Sequence, residues 1–195
     1  MFLVNLRKAI VMRTAQSDKI FTVEEYIKHE LTSERRHEFV NGQLFEMPGE
    51  KDINNEIAGF IYILFTTFLK PKNYQVFNHD VKVAIPGGNK FYYPDVFITK
   101  EEKNEKNRYI KYHPEIIVEV VSESTQVTDY VDKYIDYTKI PSLQYYMIVE
   151  PETVLITVYE RTETNEWVTR KYTQLKDNVQ LEKMNVSFTL QDVYK

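Results

Sequence analysis

Two acidic residues stand in stretches where an acid is costly. Asp95 lies in Phe91-Tyr92-Tyr93-Pro94-Asp95-Val96-Phe97-Ile98, and Glu119 in Ile116-Ile117-Val118-Glu119-Val120-Val121. A charge placed inside an apolar strand must be paired, protonated or bound to a metal. Alternate residues of a strand share a face, so Glu119 projects with Ile117 and Val121 while Val118 and Val120 face the other way. If the strands carrying Asp95 and Glu119 are neighbours, their carboxylates repel one another. A proton or a divalent cation with hard oxygen ligands relieves that repulsion. The competing reading of each acid is a structural salt bridge, which perturbs a carboxylate just as a metal site does. A third group comes from the segment that follows, where Asp129, Lys133 and Tyr137 are spaced i, i+4, i+8 and share one stripe of a helix. From that stripe Lys133 can reach the carboxylates; its alternative is a solvated lysine paired with its own neighbours.

These groups need elements to hold them. Thr22-Val23-Glu24-Glu25 has the form of a capping box and predicts a short helix to about His29, with a further turn or helix over Ser33 to Phe39. Asn41-Gly42 marks a tight hairpin between Phe39-Val40 and Gln43 to Met47. Ile53, Ile57, Phe60, Ile61, Leu64, Phe65 and Phe68 recur at helical spacing, so Asp52 to Leu69 is the main helix. The period then changes to two. Strands are expected around Val76, over Val81 to Ile85 and over Tyr93 to Ile98, with Pro86-Gly87-Gly88-Asn89 turning the chain between the second and third. The β-branched run Ile116 to Val121 suits a strand buried on both faces. A helix over about Thr128 to Thr138, a strand over Gln144 to Val149 and a late hairpin over Thr153 to Glu160 and Trp167 to Thr173 complete the order, before a terminal arm over 174–195. The sum is an α/β (α+β) layer architecture: a mixed sheet flanked by helices with an added C-terminal hairpin.

Composition narrows the chemistry. The 195 residues fit a tail over 1–18 and one domain over 19–195, and Met12 serves as well as Met1 for a start. The chain carries 25 Lys plus Arg against 29 Asp plus Glu, a net charge of -4, which argues against coating nucleic acid by bulk charge. With no cysteine, disulfide frameworks, thiolate metal sites and cysteine nucleophiles are excluded together. No apolar run is long enough to span a bilayer, and the N-terminus lacks a signal-peptide pattern, so a soluble, cytoplasmic protein without a membrane partner is expected. The mixed-sign stretch Lys100 to Lys111 reads as an exposed loop. His29, His37, His79 and His113 show no ligand spacing, and packing or exposure accounts for them. Lys51, Lys70, Lys72, Lys82 and Lys90 are the scattered candidates for contact with a nucleic acid.

Several motifs in fixed order resemble one family. Ser33-Glu34-Arg35-Arg36-His37-Glu38-Phe39-Val40-Asn41-Gly42-Gln43, then Tyr93-Pro94-Asp95-Val96, then Ile117-Val118-Glu119-Val120-Val121-Ser122, then Asp129 through Lys133 to Tyr137 and Ile140-Pro141-Ser142-Leu143 are similar to the Uma-two family of restriction-endonuclease-like proteins, over about residues 20 to 175. The family is placed in the PD-(D/E)xK nuclease superfamily, whose core is a mixed sheet with flanking helices. The resemblance implies Asp95 and Glu119 as metal ligands, with the Val120 carbonyl completing the shell. It also implies Glu38 as a helix-borne acid that binds or orients the metal and its water. Where the superfamily pattern has a lysine two residues after the second acid, this chain has Val121, and the resemblance implies that Lys133 replaces it from the following helix. Asn54-Asn55 stands where the family commonly carries a His followed by Asn, so a cation at that point is missing.

The resemblance thus implies a metal-dependent endonuclease that hydrolyses phosphodiester bonds of nucleic acid, DNA in the first instance. Its machinery would be Glu38, Asp95, Glu119 and Lys133, and its ion Mg²⁺, with Mn²⁺ as a substitute. The alternative is an inactive nuclease-fold module with a binding or regulatory role, favoured by the absent in-strand lysine and the acidic balance. A homodimer is also expected, from Tyr145, Tyr146, Tyr159 and Trp167 in the late strands, since such aromatics are enriched at interfaces.

Overall fold

A computed structural model of the chain describes residues 15, 19–47, 49, 51–100, 108–121 and 128–194, with the backbone alone for Thr128 and Asp129. The tail over 1–18, Ser122 and the middle of the charged stretch therefore fall wholly or largely outside the described residues. Thr22 Oγ1 accepts from the Glu25 N–H at 3.2 Å, and Glu25 accepts from the Thr22 N–H at 2.8 Å. This reciprocal pair starts helix α1, Val23–Glu30. The segment after it is not helical: strand β1, His37–Val40, begins within the expected turn, so Glu38 is carried by a strand. Backbone pairing explains the difference, because β1 is hydrogen-bonded on both sides, to β2 (Gln43–Glu46) and to β5 (Lys90–Tyr92). Asn41 and Gly42 have φ of 50° and 91°, the left-handed pair that a two-residue hairpin requires.

Helix α2, Asp52–Leu69, buries Ile57, Ala58, Ile61, Phe65 and Leu69 along one stripe. Each of the four larger side chains taken out of water contributes roughly 1.5–3 kcal/mol, and Ala58 less. The strands that follow are divided between two sheets. Strand β3 (Tyr74–Asn78), β6 (Val96–Lys100), β8 (Pro114–Val120), β9 (Tyr145–Glu150), β10 (Leu155–Arg161) and β11 (Trp167–Tyr172) form a six-stranded sheet in the order β11-β10-β9-β8-β6-β3. Strands β4 (Lys82–Ala84) and β7 (Ile110–Lys111) join the first hairpin and β5 in a five-stranded sheet, β2-β1-β5-β4-β7. The β8/β9 and β4/β7 pairs are parallel and the other ladders antiparallel. The run Tyr93 to Ile98, which periodicity presents as one strand, is broken: β5 ends at Tyr92 in one sheet and β6 begins at Val96 in the other. Pro94 has no N–H to donate to a ladder, and the chain uses that gap to cross between sheets.

Strand β8 lies between β6 and β9 and is buried on both faces, as its composition predicts. Its Val118 and Val120 face a core shared with α2, while Ile117 and Val121 face a second core with Tyr137, Ile140 and Tyr146. The C-terminal arm contributes a separate antiparallel pair, β12 (Asn178–Leu181) and β13 (Val186–Thr189), whose Val179, Leu181, Val186 and Phe188 close the core around α2. The helix after β8 opens with a π-helical turn, Thr128–Lys133, and continues as α3, Tyr134–Tyr137. No helix among the described residues is long and apolar enough to cross a membrane.

Tyr145 and Tyr146 are fully buried, and Tyr159 and Trp167 pack on Tyr134 while Arg161 lies over the Trp167 ring. These aromatics are spent inside the chain and give no support to an interface at that hairpin.

Candidate active site

Asp95 sits at the corner where the chain crosses from one sheet to the other. Its Oδ2 accepts the Val120 N–H at 2.6 Å, which pins the carboxylate to the end of the central strand. In the β6/β8 ladder Val96 pairs with Val118, so one step earlier along the antiparallel register Asp95 falls opposite Glu119. The other crossing between the sheets, from β3 to β4, runs beside it. There His79, at φ 47°, donates its N–H to the Asp95 carbonyl at 3.3 Å, and its Nδ1 lies 3.5 Å from Asp95 Oδ1.

Glu38, Asp95, Glu119 and Lys133 are all buried, none more than 5% exposed. Lys133 Nζ lies 2.9 Å from Glu119 Oε1 and 3.2 Å from Glu38 Oε1, so one ammonium joins an acid from each of the two large sheets. It also stands 5.8 Å from the centre of the Tyr92 ring. Tyr137, one helical turn after Lys133, donates its hydroxyl to the same Glu119 oxygen at 2.8 Å. Burial, together with the charges of Glu119 and Glu38, pushes the Tyr137 hydroxyl well above its ordinary pKa, so it remains a donor at neutral pH. Glu38 and Glu119 share one ammonium, and Asp95, opposite Glu119 in the register, adds a third buried carboxylate. A surplus of buried negative charge is stable only with further cations or donors. The donor set is made of hard oxygens, from Asp95, Glu119 and the neighbouring Val120 carbonyl, which matches a hard divalent ion.

Of the residues expected from the sequence, Glu38 from β1, Glu119 from β8 and Lys133 from the π-helical turn are joined directly, and Asp95 at the β5–β6 corner stands opposite Glu119 in the register, with its own bonds to Val120 and His79. Sequence reasoning named others without giving them a part in the site. Asn54, 1% exposed, points its amide at the Val120 carbonyl at 3.5 Å, and its Oδ1 has no hydrogen-bond partner. An Asn among the buried residues of a long helix is the local signal that gives it a part. Tyr137 was legible only as a member of the Lys133 stripe, and the side chain of Asp129 lies outside the described residues. Behind the site, Asp136 accepts from Lys90 at 2.6 Å, Tyr92 at 2.7 Å and Lys139 at 2.8 Å.

Several candidate nucleic-acid lysines have internal duties. Lys90 serves Asp136, Lys72 bonds the Met184 and Asn185 carbonyls, and Lys82 is buried over the Tyr93 ring at 5.0 Å. Next to Asp95 a cleft of about 1310 Å³ is lined by Arg35, Arg36, His79 and Lys82 and by a larger number of acids, Glu30, Glu46 and Asp80 among them. His79 connects the cleft to Asp95, while Glu38, Asp95, Glu119 and Lys133 do not themselves line it. The histidines are not all inert: His29, Glu30 and His37 each present a ligand atom within 4.8 Å of the others. Their positions in the sequence give no sign of this, because α1 and β1 meet only through folding.

A family model described as "Putative restriction endonuclease", Uma2, matches residues 23–191. Two uncharacterized proteins of Synechocystis are similar over most of their length: slr1290 is 28% identical over 172 residues, covering 88% of this chain and 90% of its own, and sll1609 is 24% identical over 159 residues, covering 80% and 90%. A crystal structure described as a putative nuclease belonging to DUF820, from Anabaena variabilis, superposes with a TM-score of 0.74 at 16% identity, covering 89% of this chain and 97% of that one. That likeness is one of fold.

Proposed function

Because this chain belongs to the Uma2 family of restriction-endonuclease-like proteins, we propose that it is a metal-dependent endonuclease cleaving phosphodiester bonds of DNA, with Glu38, Asp95, Glu119 and Lys133 as its machinery. The observation that carries the reading is the buried Lys133 ammonium held by both Glu38 and Glu119 beside Asp95. A lysine in that place answers the absence of one at Val121, and so weighs against an inactive module.

Asp95 and Glu119, with the Val120 carbonyl, would hold a Mg²⁺ ion, and Mn²⁺ would substitute for it. When bound, such an ion lowers the pKa of a coordinated water and offsets phosphate charge. The protein's own groups do the rest. The Val120 N–H fixes one Asp95 oxygen, so the other is directed by the corner itself. Tyr137 holds Glu119 in one rotamer. Lys133 orients the attacking water or stabilises the negative charge that develops on phosphorus-bound oxygens, a role open to a lysine on any element whose tip arrives at that point. Glu38, sharing that lysine, limits how far the ammonium can move.

The test is cleavage of plasmid and single-stranded DNA with Mg²⁺ or Mn²⁺. Asp95→Ala and Lys133→Ala should each lower the rate by on the order of 10²–10³-fold, with circular dichroism confirming that the variants fold. Cleavage unchanged in both would overturn the assignment.

A further inference from the structure

We infer that His29, Glu30 and His37 form a second metal site, separate from the carboxylate centre and suited to a transition ion such as Zn²⁺. His29 and Glu30 are consecutive on the last turn of α1, and His37 opens β1. One ligand atom from each lies within 4.8 Å of the other two, and the two imidazole rings are 5.2 Å apart.

The hydrogen bonding of the cluster points to a ligand. His37 is 1% exposed, and its Nδ1 lies 2.8 Å from Glu30 Oε1. Its Nε2 is buried and has no partner, and the same is true of His29 Nε2. Two buried imidazole nitrogens left unpaired on neighbouring rings are costly unless something binds them. A carboxylate on one ring nitrogen of a histidine is the usual arrangement that directs the other nitrogen's lone pair to a metal. Glu30, on the Nδ1 side of His37, serves in that way.

The frame around the cluster is already fixed. The Tyr26 hydroxyl donates to the His37 carbonyl at 2.9 Å, and the Tyr93 hydroxyl donates to Glu30 Oε2 at 2.7 Å. Glu30 also lines the cleft, which gives an ion a route from solvent. Lys82, packed over the Tyr93 ring, and Arg36, which pairs with Asp80, are the cations nearby. Two imidazoles, one of them backed by a carboxylate, suit Zn²⁺ or Co²⁺ and not Mg²⁺, so the two centres differ in the ions they select. An ion here would tie the end of α1 to the strand that carries Glu38.

The experiment uses the full chain with Asp95→Ala, which disables the carboxylate centre, and Co²⁺ and Zn²⁺ alone as probes. One Co²⁺ per chain should bind with the visible absorption of a four-coordinate nitrogen–oxygen site, be displaced by Zn²⁺ and be unaffected by excess Mg²⁺. His29→Gln, at a half-buried position, should weaken binding roughly 10–100-fold or more. Independently of any variant, Zn²⁺ should shift the imidazole nuclear magnetic resonances of both His29 and His37, and Mg²⁺ should not. Absence of the cobalt spectrum, its survival in His29→Gln, or unmoved imidazole signals would overturn the site. None of these readouts depends on cleavage.

Discussion

One oxygen of Glu119 takes hydrogen bonds from both Lys133 and Tyr137, and the energetics of the site follow from that concentration. Hydrogen bonds to a buried ion are worth more than neutral ones, and removing one leaves the charge under-solvated. Tyr137→Phe deletes only the donor and keeps the ring that packs on Tyr92 and Tyr146. It should cost about 1.5–3 kcal/mol in urea unfolding, with unchanged far-ultraviolet circular dichroism. Asp136 gives a pH-dependent counterpart. Burial alone would raise its pKa, but hydrogen bonds from Lys139, Lys90 and Tyr92 outweigh that and hold the carboxyl below its ordinary value. A depressed folded pKa means that the stabilisation is complete above the unfolded value of about 3.9 and fades as pH falls through the lower folded value. Asp136→Asn should therefore destabilise the protein at pH 7 by about 1.5–3 kcal/mol. The gap between variant and wild type should stay constant down to about pH 4 and close below it, which unfolding curves across pH would display.

The elements that bear the site are held by local devices of unequal strength. The first hairpin, which carries Glu38, turns through Gly42 at φ 91°, and its carbonyl accepts the Phe21 N–H at 2.8 Å. A Cβ added there would lie 2.7 Å from Ile20 Cγ2 and 3.3 Å from the Phe21 carbonyl oxygen. Gly42→Ala thus combines backbone strain with a clash against the segment leading into α1. The expected loss is about 1–3 kcal/mol, seen as a lower thermal midpoint, whereas a substitution at Gly49, where an added Cβ meets nothing within 4 Å, should change little. The Pro94 corner works differently. It ends one ladder and starts another, so Asp95 is positioned by two sheets at once, and its carboxylate is tied to Val120 rather than to its own turn.

Across the whole molecule, charge and stability are coupled through the site. The net charge of -4 includes Glu38, Asp95 and Glu119, and a single Mg²⁺ would bring it from -4 to -2. The acidic total then opposes only nonspecific coating of nucleic acid; the cleft beside the site adds no basic surface, since Arg35 pairs with Glu46, Arg36 with Asp80, and Glu30, Glu34, Asp52 and Glu56 also line it. An ion that binds the folded chain stabilises it by mass action, about 2.7 kcal/mol at a concentration one hundred times the dissociation constant. Saturating Mg²⁺ or Mn²⁺ should accordingly raise the melting temperature of the wild type and leave that of Asp95→Ala unmoved. An equal rise in both would place the ion elsewhere.

The capping box of α1, the Asn41-Gly42 turn, the stripe of α2 and the facing of Glu119 with Ile117 and Val121 were determined by the sequence alone, since each depends on neighbours a few residues apart. Of the four residues nominated for the site, Asp95 and Glu119 stood out as acids in apolar strands and Lys133 as a lysine on a helical stripe, whereas Glu38 came only from the resemblance of its motif. Tertiary structure decided what depends on distant partners. It set the division of strands between two sheets at Pro94, the strand rather than helix under Glu38, and the pair β12–β13 over α2. It also decided the meeting of His29, Glu30 and His37. Hydrophobic periodicity fixes which face of an element is buried, but which element covers it is settled only by packing and by the backbone hydrogen bonds that the folded chain completes.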